Sequence, residues 1–211
     1  MTGRPVVEFF YSACCPSSCL AFARLQEVAT RTGARVVPRP VVAAWLPPEA
    51  ARCQDPLDDA RARHARKDLE DWARFCGVPL RLPQPLDMDA EWVQRGAVVA
   101  LGAARGRAWM EAAFEARFGL GLDLSQRESV LELAVRIGLG GAHFSASLDA
   151  AQTRAVLAAN GEELLSRGGF ATPSLFLGEE MFFGHASVSL LEWAVMRSSE
   201  RPFIAPGEHG R

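Results

Sequence analysis

The chain opens with an apolar run that predicts a buried strand. Residues 5–11 consist mainly of β-branched and aromatic side chains, which is typical of such a strand. Residues 20–29 follow as a helix with Leu25 and Val28 facing inward. Residues 35–42 predict a second strand, whose prolines suit a sheet edge or a strand end because proline lacks the N–H group that a ladder requires. The first unit is therefore strand, helix, strand.

The middle of the chain has a helical pattern. It starts near residue 49, after Pro47 and Pro48 interrupt the chain. Four stretches then place apolar residues at helical spacing, and these are residues 57–76, 88–118, 125–137 and 149–166. Ser125, with Glu128 three residues later, predicts a capping box at the start of the third stretch.

Strand signals return near the end of the chain. Residues 172–177 and 181–183 predict a hairpin, and residues 186–196 predict a closing helix. The strands at either end of the chain would leave unpaired sheet edges if they stood alone. The two groups of strands are therefore expected to form one sheet. We predict an α/β fold of order β-α-β, helical insertion, β-β-α. Its sheet domain comprises residues 1–45 and 168–198, its inserted all-α domain residues 46–167, and its loose tail residues 199–211.

Composition narrows the class of protein. With 49% hydrophobic residues the 211-residue chain can bury a core, and its net charge of −2 gives no electrostatic reason to expect nucleic acid or membrane binding. We find no secretory signal pattern and no run of about 18 apolar residues. Five cysteines, an odd number, indicate reduced thiols better than a disulfide framework. A cytoplasmic protein is expected.

Three of the five cysteines lie within six residues, where the first strand passes into the first helix. A thiol at this junction meets the unpaired N–H groups and the positive dipole end of the helix. That environment stabilises a nucleophilic thiolate. Pro16 suits the first helical turn, where its missing N–H costs nothing. We therefore predict that Cys15 is a reactive, catalytic thiol.

The remaining cysteines have less distinctive surroundings. Cys19 lies one helical turn beyond Cys15, and both Cys19 and Cys14 fit core positions better than resolving thiols because disulfide geometry there is poor. Cys53 and Cys76 are expected to be structural. The chain has no Cys-x-x-Cys pair or spaced histidine pair, and His143 falls in a predicted Gly-rich loop. No metal site is therefore expected.

Three segments carry a likeness to known proteins. They are residues 7–25 with Cys15-Pro16, residues 67–80 with a Gly-x-Pro turn, and residues 169–184 with Thr172-Pro173 and a Phe-Phe-Gly exit. In these segments the chain resembles the DsbA-like thioredoxin superfamily and, more narrowly, the group of 2-hydroxychromene-2-carboxylate isomerases and kappa-class glutathione transferases. The likeness extends to about Met196.

This resemblance implies a thioredoxin fold with an inserted helical domain that binds glutathione or another thiol. It also implies a cis Thr172-Pro173 peptide facing the active thiol, and a cis X-Pro bond would aim backbone groups at a bound thiol. The residues expected to contact the cofactor are Pro16, Ser18, Thr172, Pro173 and His185.

The chain departs from these families at three positions. Cys15 stands where the isomerase group usually has serine. Ser18 stands where disulfide oxidoreductases have the second cysteine of Cys-Pro-x-Cys. His185 and Ala186 follow Phe-Phe-Gly, where the isomerase group usually has an acidic residue that holds glutathione. The sequence thus keeps the scaffold, places a thiol in the site and lacks one ligand contact.

We expect a thiol- or glutathione-dependent isomerase or transferase acting on a small aromatic or unsaturated substrate. Reversible addition of a thiolate to a conjugated double bond allows rotation and elimination, which amounts to isomerisation. Two alternatives stay open: a DsbA-like thiol–disulfide oxidoreductase, and a non-catalytic scaffold of the same fold that binds a thiol or other ligand. The expected partners are a small-molecule substrate and, as a possibility, a second copy of the chain.

Overall fold

The two ends of the chain form one mixed sheet, as predicted. The computed structural model describes residues 4–46, 59–84, 86 and 88–198. Its strands are β1 (Val6–Tyr11), β2 (Arg35–Pro40), β3 (Ser174–Leu177) and β4 (Glu180–Phe183). They lie in the order β2-β1-β3-β4, with β1 parallel to β2 and antiparallel to β3. The prolines of β2 are tolerated because β2 is an edge strand.

Helices flank and interrupt this sheet. Within the described residues they are α1 (Pro16–Thr32), α2 (Asp59–Phe75), α3 (Glu91–Gly102), α4 (Gly106–Phe114), α5 (Arg127–Arg136), α6 (Ala142–Asp149), α7 (Ala151–Ser166) and α8 (Val188–Ser198). Short 3₁₀ turns cover Ala43–Trp45 and His185–Ser187, and a π-helical turn covers Glu115–Gly119. No helix among these residues has the length and apolar character needed to cross a membrane. The predicted tail and Cys53 lie outside the described residues.

A single helix was predicted over residues 88–118, but this stretch forms two helices, α3 and α4. The chain turns between α3 and α4, where Ala104 has a positive φ of 56°. The two helices then pack closely enough that a Cβ on Gly96 would lie 2.2 Å from the Trp109 ring. Buried apolar residues recur at helical spacing on both sides of the turn because both helices face the same core, so periodicity alone does not reveal the break.

Two local predictions in the helical region are wrong. His143 lies within α6, whereas a Gly-rich loop was expected. Ser125 does not cap α5, which starts at Arg127 after Gln126 and has no side-chain cap at Gln126. The Ser125 N–H instead donates to the Asp123 carboxylate at 2.8 Å. Asp123 thus forms a turn of its own before the helix, which competes with the capping box.

The strand β1 is buried on both faces. On one face Phe9 stacks on Tyr11 at a centroid distance of 5.1 Å, and Tyr11 meets Phe114 of α4 at 6.1 Å. On the other face Phe10 packs edge-on against Phe176 of β3 at 5.5 Å. The carboxyl end of β1, and with it the loop to α1, is therefore held between two layers of side chains.

Candidate active site

Cys15 lies at the N-terminal boundary of α1. Its backbone is extended, with φ −95° and ψ 114°, and Pro16 takes the first helical position as predicted. The Cys15 N–H donates to the Ser12 carbonyl at 3.1 Å. The first turn of this 17-residue helix has no acidic side chain, so the positive end of its dipole is available to an anion at this position.

The Cys15 thiol meets the start of β3. Its Sγ donates to the Thr172 carbonyl oxygen at 3.3 Å, across 157 positions of sequence. The Thr172-Pro173 peptide is cis, as the resemblance implied. The antiparallel pairing of β1 with β3 brings these two segments together, because β1 ends at the edge of the sheet where β3 begins.

The neighbouring cysteines are unsuited to nucleophilic attack. Burial raises the pKa of Cys14 and of Cys19 to about 12, with Arg117 partly opposing the change at Cys14. Burial also raises the pKa of Cys76. All four described cysteines are free thiols. The expectation that Cys19 belongs to the core is confirmed, and Cys15 lies in the setting most favourable to reaction.

A buried glutamine on α3 anchors the loop that carries Cys15. Gln94 accepts a hydrogen bond from the Ala13 N–H at 3.2 Å, and its amide donates to the carbonyls of Tyr11 at 2.7 Å and Val41 at 2.9 Å. No motif in the sequence singles out Gln94. The sequence feature that could have identified it is its place beside Val93, as a polar residue on the buried side of α3. Gln94 ties the ends of β1 and β2 to the helical layer.

Ser18 does not face the thiol cleft. It is fully buried, and its hydroxyl oxygen accepts a hydrogen bond from the Ser12 N–H at 3.4 Å. The prediction that Ser18 contacts a cofactor is therefore not supported by its placement. Ser18 lies one turn into α1 on the buried side of the helix, where a side chain stabilises the loop instead of meeting a ligand.

His185 is also more buried than expected. It was expected to contact the cofactor, but only 8% of the residue is exposed. Its Nδ1 lies 2.7 Å from the Ser17 hydroxyl, and its ring meets the Trp72 ring edge-on at 5.3 Å. Burial lowers the pKa of His185, with Asp68 opposing this change and Arg24 adding to it. The imidazole is therefore neutral at neutral pH.

The neutral state of His185 predicts a specific loss of stability in mild acid. Its pKa in the folded chain is below the reference value of 6.5, so the unfolded chain binds more protons just below that pH. The stabilising contribution is complete above 6.5 and is lost as the pH falls toward the folded pKa. As the pH falls below 6.5, the free energy of unfolding of His185→Gln should decrease less steeply than that of the parent chain. Urea titrations at several pH values measure the slopes, and equal slopes would contradict the prediction.

A buried arginine lies close enough to Cys14 for its charge to act on the thiol. Arg117 belongs to the π-helical turn after α4 and donates to the Leu86 carbonyl at 2.9 Å. Its charge acts on Cys14, which places a cation beside the loop of the reactive thiol. Single π turns recur at functional sites. The sequence pattern gave no sign of this residue, because Arg117 falls in a stretch predicted to be an ordinary helix.

An aromatic pair joins the segment before β3 to β4. Phe170, which precedes the cis peptide, packs on Phe183 of β4 with ring centroids 4.6 Å apart. Phe170 is 37% exposed, so it offers an apolar face close in sequence to Thr172.

Among the described residues, no group of three or more acidic, cysteine or histidine side chains could hold a metal ion.

Comparisons with known proteins agree on the fold. The family model described as DSBA-like thioredoxin domain matches residues 6–195. The 2-hydroxychromene-2-carboxylate isomerase of Sphingobium xenophagum is 24% identical over 192 residues, which cover 88% of this chain and 95% of the relative. A solved structure of 2-hydroxychromene-2-carboxylate isomerase superposes with a TM-score of 0.78 at 22% identity, over 92% of this chain and 96% of that one.

A third likeness is to an oxidoreductase. The cytosolic disulfide reductase DsbM of Pseudomonas aeruginosa, solved with GSH, superposes with a TM-score of 0.58 at 21% identity, over 84% of this chain and 88% of that one. The family match and these superpositions confirm the predicted thioredoxin-like α/β fold, with helices inserted between β2 and β3.

Proposed function

The chain belongs to the DSBA-like thioredoxin domain family, and from this premise we propose that it is a thiol-dependent isomerase of the 2-hydroxychromene-2-carboxylate isomerase type. Support comes from the isomerase relative, which covers 88% of the chain, and from the site itself. The observation that carries the proposal is the placement of Cys15: a thiol at a helix N-terminus, 3.3 Å from the Thr172 carbonyl, with serine at position 18.

The proposed reaction needs one sulfur and no oxidant. A thiolate forms a carbon–sulfur bond to one end of a conjugated double bond, and the displaced electron pair moves to the conjugated carbonyl oxygen. The former double bond is then single and rotates. The electron pair returns, the carbon–sulfur bond breaks, and the thiolate is released unchanged. The dipole of α1 stabilises the thiolate before addition and after elimination.

Glutathione is the proposed source of sulfur if Cys15 is not itself the nucleophile. In that version the Cys15 thiol donates a hydrogen bond to the glutathione thiolate, and the Thr172 backbone pairs with the tripeptide. The DsbM structure with GSH makes this ligand reasonable for the fold. Pro16 follows Cys15 at the start of α1, and Pro173 follows Thr172 in the cis peptide, so we propose both as contacts of this sulfur.

The proposal is tested with 2-hydroxychromene-2-carboxylate as substrate, followed by ultraviolet absorbance with and without added glutathione. We expect equilibration of this compound with its open-chain isomer, at a rate proportional to enzyme concentration. No acceleration under either condition, from a folded protein with a reactive Cys15, would contradict the isomerase proposal and favour the ligand-binding scaffold.

Thiol–disulfide exchange is the second candidate, because the Cys15 thiol contacts the Thr172 carbonyl at the start of β3 and the disulfide reductase DsbM superposes on this chain. A dithiol enzyme needs a second thiol to resolve the mixed disulfide, and Ser18 has none. We expect insulin reduction by dithiothreitol to be accelerated little by the parent chain and strongly by Ser18→Cys, which creates Cys-Pro-Ser-Cys. Rapid insulin reduction by the parent chain would overturn the isomerase assignment in favour of oxidoreductase chemistry.

A further inference from the structure

The helix α2 lies beside α1 and runs in the same direction. A carboxylate oxygen of Asp68 on α2 lies 3.9 Å from Nε2 of His185, whose Nδ1 lies 2.7 Å from the hydroxyl of Ser17 in the first turn of α1. Further along both helices, the Arg24 guanidinium of α1 lies over the Trp72 ring of α2, 4.9 Å from its centroid. The contacts follow the same order along the two helices, so Asp68 marks the level on α2 at which α1 begins.

The N-terminal part of α2 extends past the beginning of α1. The helix starts at Asp59, so roughly 13 Å of helix precedes Asp68. Cys15 is the residue that precedes the first turn of α1. The first part of α2, residues 59–67, therefore lies toward the end of α1 that carries the thiol, and we call it the α2 arm.

The α2 arm is exposed and basic. Residues 60–67 contain no acidic side chain, and residues 63–67 are all exposed. Lys67 pairs with a carboxylate of the next turn of α2. Among the described residues, Arg63 and Arg66 make no ion pair. The arm therefore presents two uncompensated guanidinium groups to solvent at the Cys15 end of α1.

The charges on the side of Cys14 are mixed. Burial raises the pKa of the Cys14 thiol, and Asp89 and Asp123 add to this change whereas Arg117 opposes it. An anion that approaches Cys15 thus meets charges of both signs beside Cys14 and positive charge on the α2 arm. The arm is the surface that favours its approach.

We propose that Arg63 and Arg66 of the α2 arm attract and orient the carboxylate group of the molecule that reacts at Cys15. The identity of that molecule rests on the proposed function, since 2-hydroxychromene-2-carboxylate and glutathione both carry carboxylates. A guanidinium group pairs with a carboxylate through two parallel hydrogen bonds. Positive charge beside a site also raises the rate at which an anion reaches it.

Charge-selective alkylation tests this proposal without the isomerase substrate. Iodoacetate and iodoacetamide transfer groups of similar size to Cys15, but only iodoacetate is an anion, so the ratio of their rates reports the electrostatic potential at the thiol. In about 10 mM salt, where the screening length is roughly 30 Å, Arg63→Gln/Arg66→Gln should lower this ratio by at least about threefold. In about 1 M salt the variant and the parent chain should have the same ratio.

Arg4→Gln/Arg35→Gln is the matched control. Both positions are exposed and lie at the starts of β1 and β2, whereas Cys15 follows the end of β1. This variant loses the same charge far from the thiol and should keep the parent ratio in low salt. A parent-like ratio in the arm variant, or an equal decrease in the control, would overturn the proposal.

Turnover tests the identity of the anion separately. With 2-hydroxychromene-2-carboxylate, Arg63→Gln/Arg66→Gln should raise KM by at least about threefold and lower kcat little, because the arm does not touch the reacting atoms. An unchanged KM would overturn the assignment of the arm to this substrate. Absence of turnover in the parent chain would contradict the proposed function and not the arm, because the alkylation ratio does not depend on turnover.

Discussion

Cys15→Ala is expected to lower turnover of 2-hydroxychromene-2-carboxylate by at least about a thousandfold, as loss of a covalent nucleophile does elsewhere. The reason is the position of the thiol, which combines the helix dipole of α1 with a contact to the Thr172 carbonyl. Alanine keeps the helix start intact but has neither a nucleophile nor a donor for a bound thiolate. Initial rates, measured with saturating glutathione and without it, check this result.

Cys15→Ser separates the two sources of sulfur. If Cys15 is the nucleophile, serine should be as inactive as alanine, because a hydroxyl is a poor nucleophile at neutral pH. If glutathione supplies the sulfur, serine should retain much of the activity through its hydrogen bond, and the rate should depend on added glutathione. Cys76→Ala is the matched control and should keep full activity. Full activity of Cys15→Ala without added thiol would exclude both versions.

The second large effect concerns stability. Gln94→Ala should lower the free energy of unfolding by about 2–4 kcal/mol, because it leaves buried backbone groups of the Cys15 loop without partners. The groups affected are the Ala13 N–H and the carbonyls of Tyr11 and Val41. Denaturant titration measures the change. The variant should also alkylate Cys15 more slowly, since the loop that holds the thiol is released from α3.

Gln152→Ala, at an exposed position on α7, is the matched control for Gln94→Ala. It removes the same atoms from a helix surface and should change stability by less than about 0.5 kcal/mol. Equal stabilities of the two variants would show that the Gln94 contacts contribute nothing net, and the proposed anchoring of the loop would be wrong.

The sheet could be predicted from the sequence because each of its strands has a local sequence signal. Residues 5–11 are apolar throughout, the prolines of β2 indicate an edge, and the hairpin has its glycine turn. The contact between Cys15 and Thr172 could not come from patterning, because 157 positions separate the two residues. It came from the resemblance of residues 169–184 to a known family.

The helical layer and the polar interior were predicted less well. The turn between α3 and α4 was missed because buried apolar residues occur at helical spacing both before and after the exposed residues 102–105. Gln94 and His185 were missed as buried groups for a common reason. A polar side chain is expected at the surface unless its partners are known, and those partners lie on other elements: the backbone of the Cys15 loop for Gln94, and Ser17 and Asp68 for His185.

The most direct test of the central claim, that Cys15 is the reactive thiol, is iodoacetamide labelling at neutral pH followed by mass mapping of each cysteine. We predict that Cys15 labels first and fast, whereas Cys14 and Cys19 label only after unfolding, because burial raises the pKa of each to about 12. Cys76, whose pKa burial also raises, should label slowly. If Cys15 labels no faster than Cys76 in the folded protein, the account of this site is wrong.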